Sequence, residues 1–130
     1  MSEHFKEEEF ACKCGCGFNA VDPRLIQALE DLRGIIKKPI HVNSGCRCQK
    51  HNAAIGGEKN SQHLLGRAAD ITIKGMSSHA VYLCVIQIPA FQQGGIGLYD
   101  SWVHVDVRRD GRPHQWNRLS ANAKGKRKKT

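Results

Sequence analysis

Residues 61–73 read Ser61-Gln62-His63-Leu64-Leu65-Gly66-Arg67-Ala68-Ala69-Asp70-Ile71-Thr72-Ile73, which combines a histidine-bearing loop with an alternating strand. The alternation over residues 69–73 predicts a β-strand that opens at Asp70. Gly66 and Ala68 are small, so the loop that carries His63 can fold back against this strand. We therefore expect His63 and Asp70 to lie close together.

A hairpin is predicted further along the chain. Residues 95–99 and 102–107 are rich in β-forming side chains, and Asp100-Ser101 separates them as a tight turn. Successive side chains of a strand point to opposite faces, so Trp102, His104 and Asp106 share one face. The second strand therefore presents two metal-competent side chains on the same side.

Two amphipathic helices complete the predicted fold. Asp22 and Pro23 form a typical helix start, and an apolar stripe with helical spacing follows at Leu25, Ile26, Leu29, Leu32 and Ile36. The second helix begins after Ser77 or Ser78, continues to about Gln87 and is ended by Pro89. A short strand over residues 39–43 and a short helix over residues 49–55 lie between them. The pattern predicts a single α+β domain with a small antiparallel sheet packed against two main helices.

Composition and charge restrict the function classes. The chain has 130 residues and a net charge of +8, and five of the positive charges lie in a cluster at Lys124, Lys126, Arg127, Lys128 and Lys129. We expect residues 1–120 to form the domain and residues 121–130 to be a disordered basic tail. The tail either keeps the protein soluble or attracts an anionic polymer.

The length of the apolar runs and the first residues of the sequence indicate where the protein is located. No apolar run approaches the ~20 residues of a membrane-spanning helix, so we expect no transmembrane segment. The first residues, Met-Ser-Glu-His-Phe-Lys, lack the pattern of a secretory signal, so we expect synthesis in the cytoplasm. Nothing in the sequence demands more than a monomer.

Three residues form the candidate metal site. His63, Asp70 and His104 offer two imidazoles and one carboxylate, which suit zinc and leave a fourth position of a tetrahedral ion open for water. Such an open position is typical of a catalytic rather than a structural ion. We expect this zinc site on the polar face of the sheet.

The motif around these residues resembles that of a known family. Residues 61–70 match the Ser-x-His-x-x-Gly-x-Ala-x-Asp signature of the zinc D-Ala-D-Ala carboxypeptidase family and its relatives among phage and bacterial peptidoglycan peptidases. Asn43-Ser44-Gly45-Cys46-Arg47 is similar to the family's Ser-Gly-x-Arg segment, and Trp102-Val103-His104-Val105-Asp106 to its closing strand. The likeness covers residues 5 to 118 and points to the small, single-domain branch.

The resemblance implies a role for each matching residue. His63, Asp70 and His104 would bind Zn²⁺, and Arg47 would hold a substrate carboxylate or steady the developing oxyanion. Ser61 would orient a ligand or the loop and contact substrate. The implied substrate is a peptidoglycan stem peptide, cleaved by a D,D-carboxypeptidase or an endopeptidase. A phage or prophage endolysin acting at the cell wall or periplasm fits the expected absence of a signal peptide.

The position of the general base is where this sequence departs from better-known relatives of the family. Many relatives place Glu or Asp three residues before the last histidine ligand, and this chain has Ser101 there. Asp106 and Asp100 are the remaining candidates, and we favour Asp106 as the group that accepts the water's proton. The rival assignment makes Asp106 the third metal ligand and His104 the acid/base partner.

Five cysteines also cluster in the sequence, at Cys12, Cys14, Cys16, Cys46 and Cys48. Their one-residue gaps are tighter than a standard zinc knuckle, so a second metal, a disulfide and buried thiols all remain open. Cys84 falls in an apolar helical stretch and is expected in the core. Two alternatives to an enzyme are a catalytically silent zinc-binding recognition module of the same fold and a nucleic-acid-binding zinc protein. The latter lacks a basic helix or an aromatic stripe.

Overall fold

The computed structural model describes residues 2–57 and 61–119 as one α+β domain. The four α-helices are α1 (Pro23–Ile36), α2 (Gln49–Ala54), α3 (Ser78–Val85) and α4 (Pro89–Gln92). The five strands are β1 (His41–Ser44), β2 (Ala68–Thr72), β3 (Gly95–Leu98), β4 (Val103–Asp106) and β5 (His114–Asn117). Two 3-10 helices span Glu7–Phe10 and Gln62–Leu65. The expected α+β class is confirmed, and the expected tail at residues 121–130 lies outside the described residues.

Helix α1 begins as its sequence predicts. The Asp22 carboxylate accepts a hydrogen bond from the Arg24 N–H, and Pro23 occupies the first turn, where no backbone donor is needed. The helix ends at Lys37, which adopts a left-handed conformation with φ of 61°. One face is buried, at Leu25, Ile26, Ala28, Leu29 and Leu32.

The sheet is mixed, with the strand order β1-β2-β4-β3-β5. The first four strands pair antiparallel, as expected, whereas β5 pairs in parallel with β3. The expectation of an antiparallel sheet therefore missed this edge strand. Its residues, His-Gln-Trp-Asn, contain one apolar side chain among four, so they lack the hydrophobic alternation that predicts strands.

Helix α3 is shorter than expected. Ser77 caps it, as its side chain accepts a hydrogen bond from the Ala80 N–H, but the helix ends at Val85 rather than near Gln87. Pro89 begins a further short helix, α4, because proline is well tolerated at a first helical turn. No described helix has the length and apolar character that crossing a membrane requires.

The core lies on one face of the sheet. Helices α1 and α3 pack there against buried strand residues including Ile71, Ile96, Val103 and Val105. Each such side chain stabilises the fold by about 1.5–3 kcal/mol through its removal from water. The core fills this face, so the opposite face of the same strands is left to carry polar side chains.

Candidate metal centre

A single row of paired residues crosses the whole sheet on its polar face. Strand register places Ser44 beside Asp70, Asp70 beside His104, His104 beside Gly97, and Gly97 beside Trp116. Directly paired residues on neighbouring strands point to the same face. Each of the five strands thus contributes one residue to a shared surface, which we call the floor of the site.

His63 reaches this floor from the 3-10 helix Gln62–Leu65. The Ser61 side chain caps that helix by accepting a hydrogen bond from the His63 N–H, and Gly66 ends it with φ of 68°. The Nδ1 atom of His63 lies 2.6 Å from the Gly45 carbonyl oxygen, to which it donates. The Nε2 atom is buried without a hydrogen-bond partner. Ser61 therefore positions His63, and the imidazole presents a bare nitrogen to the centre.

His104 presents its other ring nitrogen. Its Nε2 donates to Asp106 Oδ2 over 2.8 Å, and its Nδ1 lies 3.2 Å from Asp70 Oδ1. A neutral imidazole carries one proton, so the bond to Asp106 leaves Nδ1 as a lone pair. Asp106 thereby selects the tautomer that aims a lone pair at Asp70.

Asp70 joins the two histidines. Its Oδ1 lies 3.3 Å from His63 Nε2 and 3.2 Å from His104 Nδ1, while its Oδ2 accepts a bond of 3.1 Å from Arg47. Burial alone would raise the pKa of Asp70, but the neighbouring His104 and His63 side chains lower it further, so it lies well below the ordinary value. The carboxylate is therefore charged at neutral pH.

The three side chains fit a divalent cation. Each offers one ligand atom, these atoms lie within 4.8 Å of one another, and all three residues are buried. A bound cation requires unprotonated nitrogens, so both imidazoles would then present lone pairs beside the Asp70 oxygen, and the cation would compensate for burying these polar atoms. Two nitrogens and one oxygen are a donor set that zinc accepts.

Asp106 occupies a different setting from the one expected of a base. Its side chain is fully buried, its Oδ2 accepts from His104 and Arg108, and its Oδ1 accepts from the Arg108 Nε–H over 2.9 Å. Burial opposes ionisation, yet hydrogen bonds from His104 and Arg108 keep the pKa of Asp106 well below its usual range. Such a carboxylate is a poor proton acceptor, and it lies behind His104 rather than among the converging ligand atoms.

Arg47 is likewise committed to protein partners. Its guanidinium donates to the Ser44 hydroxyl over 3.2 Å, to Asn52 Oδ1 over 3.1 Å and to Asp70 Oδ2. The planar fork of arginine suits such simultaneous bonding. Arg47 thus holds the Asp70 carboxylate through Oδ2, while the two histidines face Oδ1.

The hairpin turn lies apart from these ligands. The Asp100 and Ser101 side chains are exposed, and the Asp100 carbonyl accepts a hydrogen bond from the Ser78 hydroxyl. Among the described residues that line the cleft above the site, Asp70 is the only carboxylate.

That cleft has a volume of about 840 Å³ and an aromatic wall. Trp102 stacks on Tyr99 with ring centroids 4.6 Å apart, and the Trp116 Nε1–H donates to the Tyr99 hydroxyl over 3.0 Å. The Trp116 ring tilts toward His104 at 5.0 Å, and the Arg108 guanidinium lies 5.7 Å from the Trp116 ring centre.

Sequence reasoning missed the part played by Arg108. The glycines of β3 carry a sequence signal for crowding on this face of the sheet. Gly95 pairs with Asp106 and Gly97 with His104, and a side chain at either glycine would collide with the Asp106 carboxylate or the Trp116 indole. Two glycines with strand spacing opposite polar residues indicate that other groups approach the backbone there.

Comparison with known proteins places this geometry in a family. A family model described as Peptidase M15 matches residues 3–106, a range that holds His63, Asp70 and His104. This chain belongs to the peptidase M15 family. Membership in peptidase M15 indicates a zinc metallopeptidase and confirms the resemblance seen in the sequence motifs. No relative among the curated proteins matches the chain.

Proposed function

We propose that this peptidase M15 chain hydrolyses an amide bond in peptidoglycan stem peptides. The observation that carries the proposal is the convergence of His63 Nε2, Asp70 Oδ1 and His104 Nδ1 on the floor of an open cleft. These three residues would hold zinc. When bound, zinc supplies a Lewis acid that polarises the scissile carbonyl and lowers the pKa of water toward neutrality.

The residues around the ligands keep them in place. Asp106 fixes the ring of His104 through Nε2, and Gly45 fixes the ring of His63 through Nδ1. Arg47 holds the far oxygen of Asp70. Partners of this kind fix the orientation of a metal ligand, and their loss typically costs 10–100-fold in metal affinity or activity. We assign Asp106, Arg47 and Ser61 to positioning roles, which replaces the expectation that Asp106 takes the water's proton.

The cleft favours an anionic, partly apolar substrate. Arg47, Arg108 and Arg118 line it, and although Arg47 pairs with Asp70 and Arg108 with Asp106, the arginines outnumber these two carboxylates. An excess of arginine attracts carboxylates, which stem peptides carry, and the stacked Tyr99 and Trp102 rings offer an apolar surface for alanine methyl groups. Cleavage of a terminal D-Ala or of an internal bond both remain within the proposal, and the phage or prophage setting stays a prediction.

A second candidate function rests on the missing base. Ser101 stands where a carboxylate is expected, and among the described cleft residues no acid other than Asp70 is present. A site of this composition can bind metal and substrate without efficient turnover. The second candidate is therefore a zinc-dependent module that recognises peptidoglycan without cleaving it.

The deciding experiment is digestion of purified peptidoglycan with the zinc-loaded protein, with released fragments identified by mass spectrometry. We expect cleavage that a chelator abolishes. His63→Ala should remove the activity because it removes a ligand, whereas His79→Ala, at an exposed position on α3, should retain it.

The fragments distinguish the outcomes. Loss of a terminal alanine identifies a carboxypeptidase, and new internal amine and carboxyl ends identify an endopeptidase. Zinc-dependent binding to wall fragments without cleavage would replace the peptidase by the recognition module. Cleavage that survives both chelation and His63→Ala would contradict the assigned site.

A further inference from the structure

Four cysteines converge at a place remote in sequence from the histidine motif. Cys12, Cys14 and Cys16 follow the 3-10 helix Glu7–Phe10, and Cys48 precedes α2. The four sulfur atoms all lie within 4.8 Å of one another. The distances are 3.4 Å between Cys12 and Cys14, 3.6 Å between Cys14 and Cys48, and 3.9 Å between Cys12 and Cys48.

These distances suit one shared ion better than disulfide bonds. A disulfide requires about 2.05 Å between sulfurs. Four sulfurs at about 2.3 Å from a tetrahedral zinc ion are about 3.8 Å from one another. The observed separations bracket the tetrahedral value, and every cysteine of the described chain is a free thiol.

The backbone explains how such tight sequence spacing can serve one ion. Gly15 and Gly17 adopt φ of 82° and 90°, a region that favours glycine, and the Gly15 N–H donates to the Cys12 carbonyl. The chain therefore turns between Cys14 and Cys16 at Gly15, and the turn at Gly17 returns it so that the Cys12 N–H donates to the Phe18 carbonyl. The gaps that looked too short for a knuckle are bridged by this double turn.

Backbone donors also point at the sulfurs. The Cys48 N–H lies 3.4 Å from Cys12 Sγ, and the His51 N–H lies 3.4 Å from Cys48 Sγ. Hydrogen bonds of this type favour the thiolate, which is the form that binds metals.

The other two cysteines are excluded by position. Cys46 is buried in the hydrophobic core, 2% exposed, and its N–H donates to the Phe10 carbonyl. Cys84 lies on α3, half-buried against the core. Neither belongs to the group of four converging sulfurs.

We propose that Cys12, Cys14, Cys16 and Cys48 bind a second zinc ion with a structural role. Four thiolates complete a tetrahedral shell, so no position is left for water or substrate. Soft sulfur ligands in this number select zinc over magnesium or calcium. Binding displaces the thiol protons into solvent, so occupancy falls at acidic pH.

The second ion would stabilise the loop that holds His63 in the candidate catalytic centre. It ties residues 12–16 to the loop that contains Gly45 and Arg47. Gly45 carries the carbonyl that fixes His63, and the Arg47 N–H donates to the His63 carbonyl over 3.0 Å. A β-carbon at Gly45 would approach Phe10 Cα to 2.8 Å, so the two segments already touch. The inference rests on this geometry and not on the reaction that the cleft performs.

Metal content of the full chain, purified under reducing conditions, tests the proposal. We expect two zinc ions per chain in the natural sequence, one in His63→Ala and one in the double variant Cys14→Ser/Cys16→Ser. Cys14 and Cys16 are exposed, so their replacement spares the core. Cys84→Ser is the matched control and should keep two ions.

Cobalt substitution identifies the ligands even if one variant folds poorly. Thiolate-to-cobalt charge-transfer absorption should appear in the natural sequence and in His63→Ala, and should vanish in Cys14→Ser/Cys16→Ser. Loss of peptidase activity with an intact thiolate signal would count against the proposed function alone.

Three results would overturn the second site. One is His63→Ala without any zinc and with the thiols of Cys12, Cys14, Cys16 and Cys48 immediately reactive. Another is a mass lowered by the hydrogens of disulfides, and the third is iron in place of zinc, visible as colour in the purified protein.

Discussion

At the residue scale, the orientation of two imidazole rings decides what the centre can bind. The Gly45 carbonyl accepts a hydrogen bond from His63 Nδ1–H, and the Asp106 carboxylate accepts one from His104 Nε2–H. His63 therefore points its Nε2 atom toward Asp70, whereas His104 points its Nδ1 atom toward it. Neither choice is visible in a motif that records only residue type, because tautomers depend on neighbours that the fold supplies.

Asp106→Asn tests whether this carboxylate acts through His104. The amide oxygen can still accept from His104 Nε2, but the charge that pairs with Arg108 is lost. We expect zinc to remain bound with an affinity weakened by about 10–100-fold, and cleavage to fall in step. Equilibrium competition with a chromogenic chelator measures the affinity.

The control for this variant is Asp110→Asn, an exposed carboxylate that bonds His114. It should leave zinc affinity unchanged. Full zinc affinity in Asp106→Asn together with a large loss of turnover would restore Asp106 as the general base.

At the element scale, the glycines of β3 leave the space that the Asp106 and Trp116 side chains occupy. Gly97→Ala would place a β-carbon against the Trp116 indole, so the ring must move. We expect a loss of about 1–3 kcal/mol in unfolding free energy, as for other overpacked sites, and weaker cleavage because Trp116 leaves the cleft. Urea unfolding followed by tryptophan fluorescence measures the change.

Gly34→Ala is the matched control. Gly34 lies in α1, where an added β-carbon meets nothing within 4 Å, and alanine favours the helix by about 0.5–1 kcal/mol. The two substitutions should therefore shift stability in opposite directions. Stabilisation by both would show that Trp116 does not rest on Gly97.

The start of α1 predicts a pH dependence. The Arg24 guanidinium holds the pKa of Asp22 below its ordinary value of 3.8. The folded carboxyl binds its proton less readily than the unfolded one, so its contribution is complete above about pH 4 and is lost as acid titrates the folded group. Asp22→Asn keeps a capping oxygen but loses the ion pair, so its stability should decline less steeply below pH 4.

Asp22→Ala separates the cap from the charge. It should cost about 1 kcal/mol at neutral pH, the usual loss for an N-cap, while Asp22→Asn costs less. Thermal unfolding of both variants between pH 3 and pH 7 measures the two terms. If stability declined with pH in parallel for the natural chain and Asp22→Asn, the ion pair between Asp22 and Arg24 would not contribute to the pH dependence.

Much of the fold followed from local sequence signals. The start of α1, the hairpin and the strand around Asp70 were predicted because caps, prolines and two-residue alternation act within a few residues. The parallel strand β5 was missed because its pairing with β3 is a long-range event with little apolar signal. The expected meeting of His63, Asp70 and His104 matches their placement. The bond between Arg47 and Asp70 joins segments far apart in the chain, and the ion pair of Asp106 with Arg108 depends on side-chain directions that residue type does not reveal.

At the scale of the whole molecule, charge is concentrated rather than spread. Five cationic residues between positions 124 and 129 supply most of the net charge of +8. If the tail serves attraction to an anionic wall polymer, replacing all five by Gln should weaken binding to purified walls and flatten its salt dependence.

A dispersed control keeps the total charge equal. Replacing Lys6, Lys37, Lys38, Lys50 and Lys74 by Gln removes the same five charges from exposed positions of the domain. Sedimentation with walls at increasing salt compares the two variants. Equal losses would indicate that only net charge matters and that the tail has no special part.

The row of paired residues that crosses the sheet also sets an order of events during synthesis. The ribosome delivers Ser44 first, then Asp70, Gly97, His104 and finally Trp116, so the floor is incomplete until the last strand emerges. A nascent chain that stops short of residue 104 lacks one ligand and cannot close around the ion. We therefore expect the peptidase to be silent throughout translation and to gain the metal held by His63, Asp70 and His104 only when the domain is essentially whole.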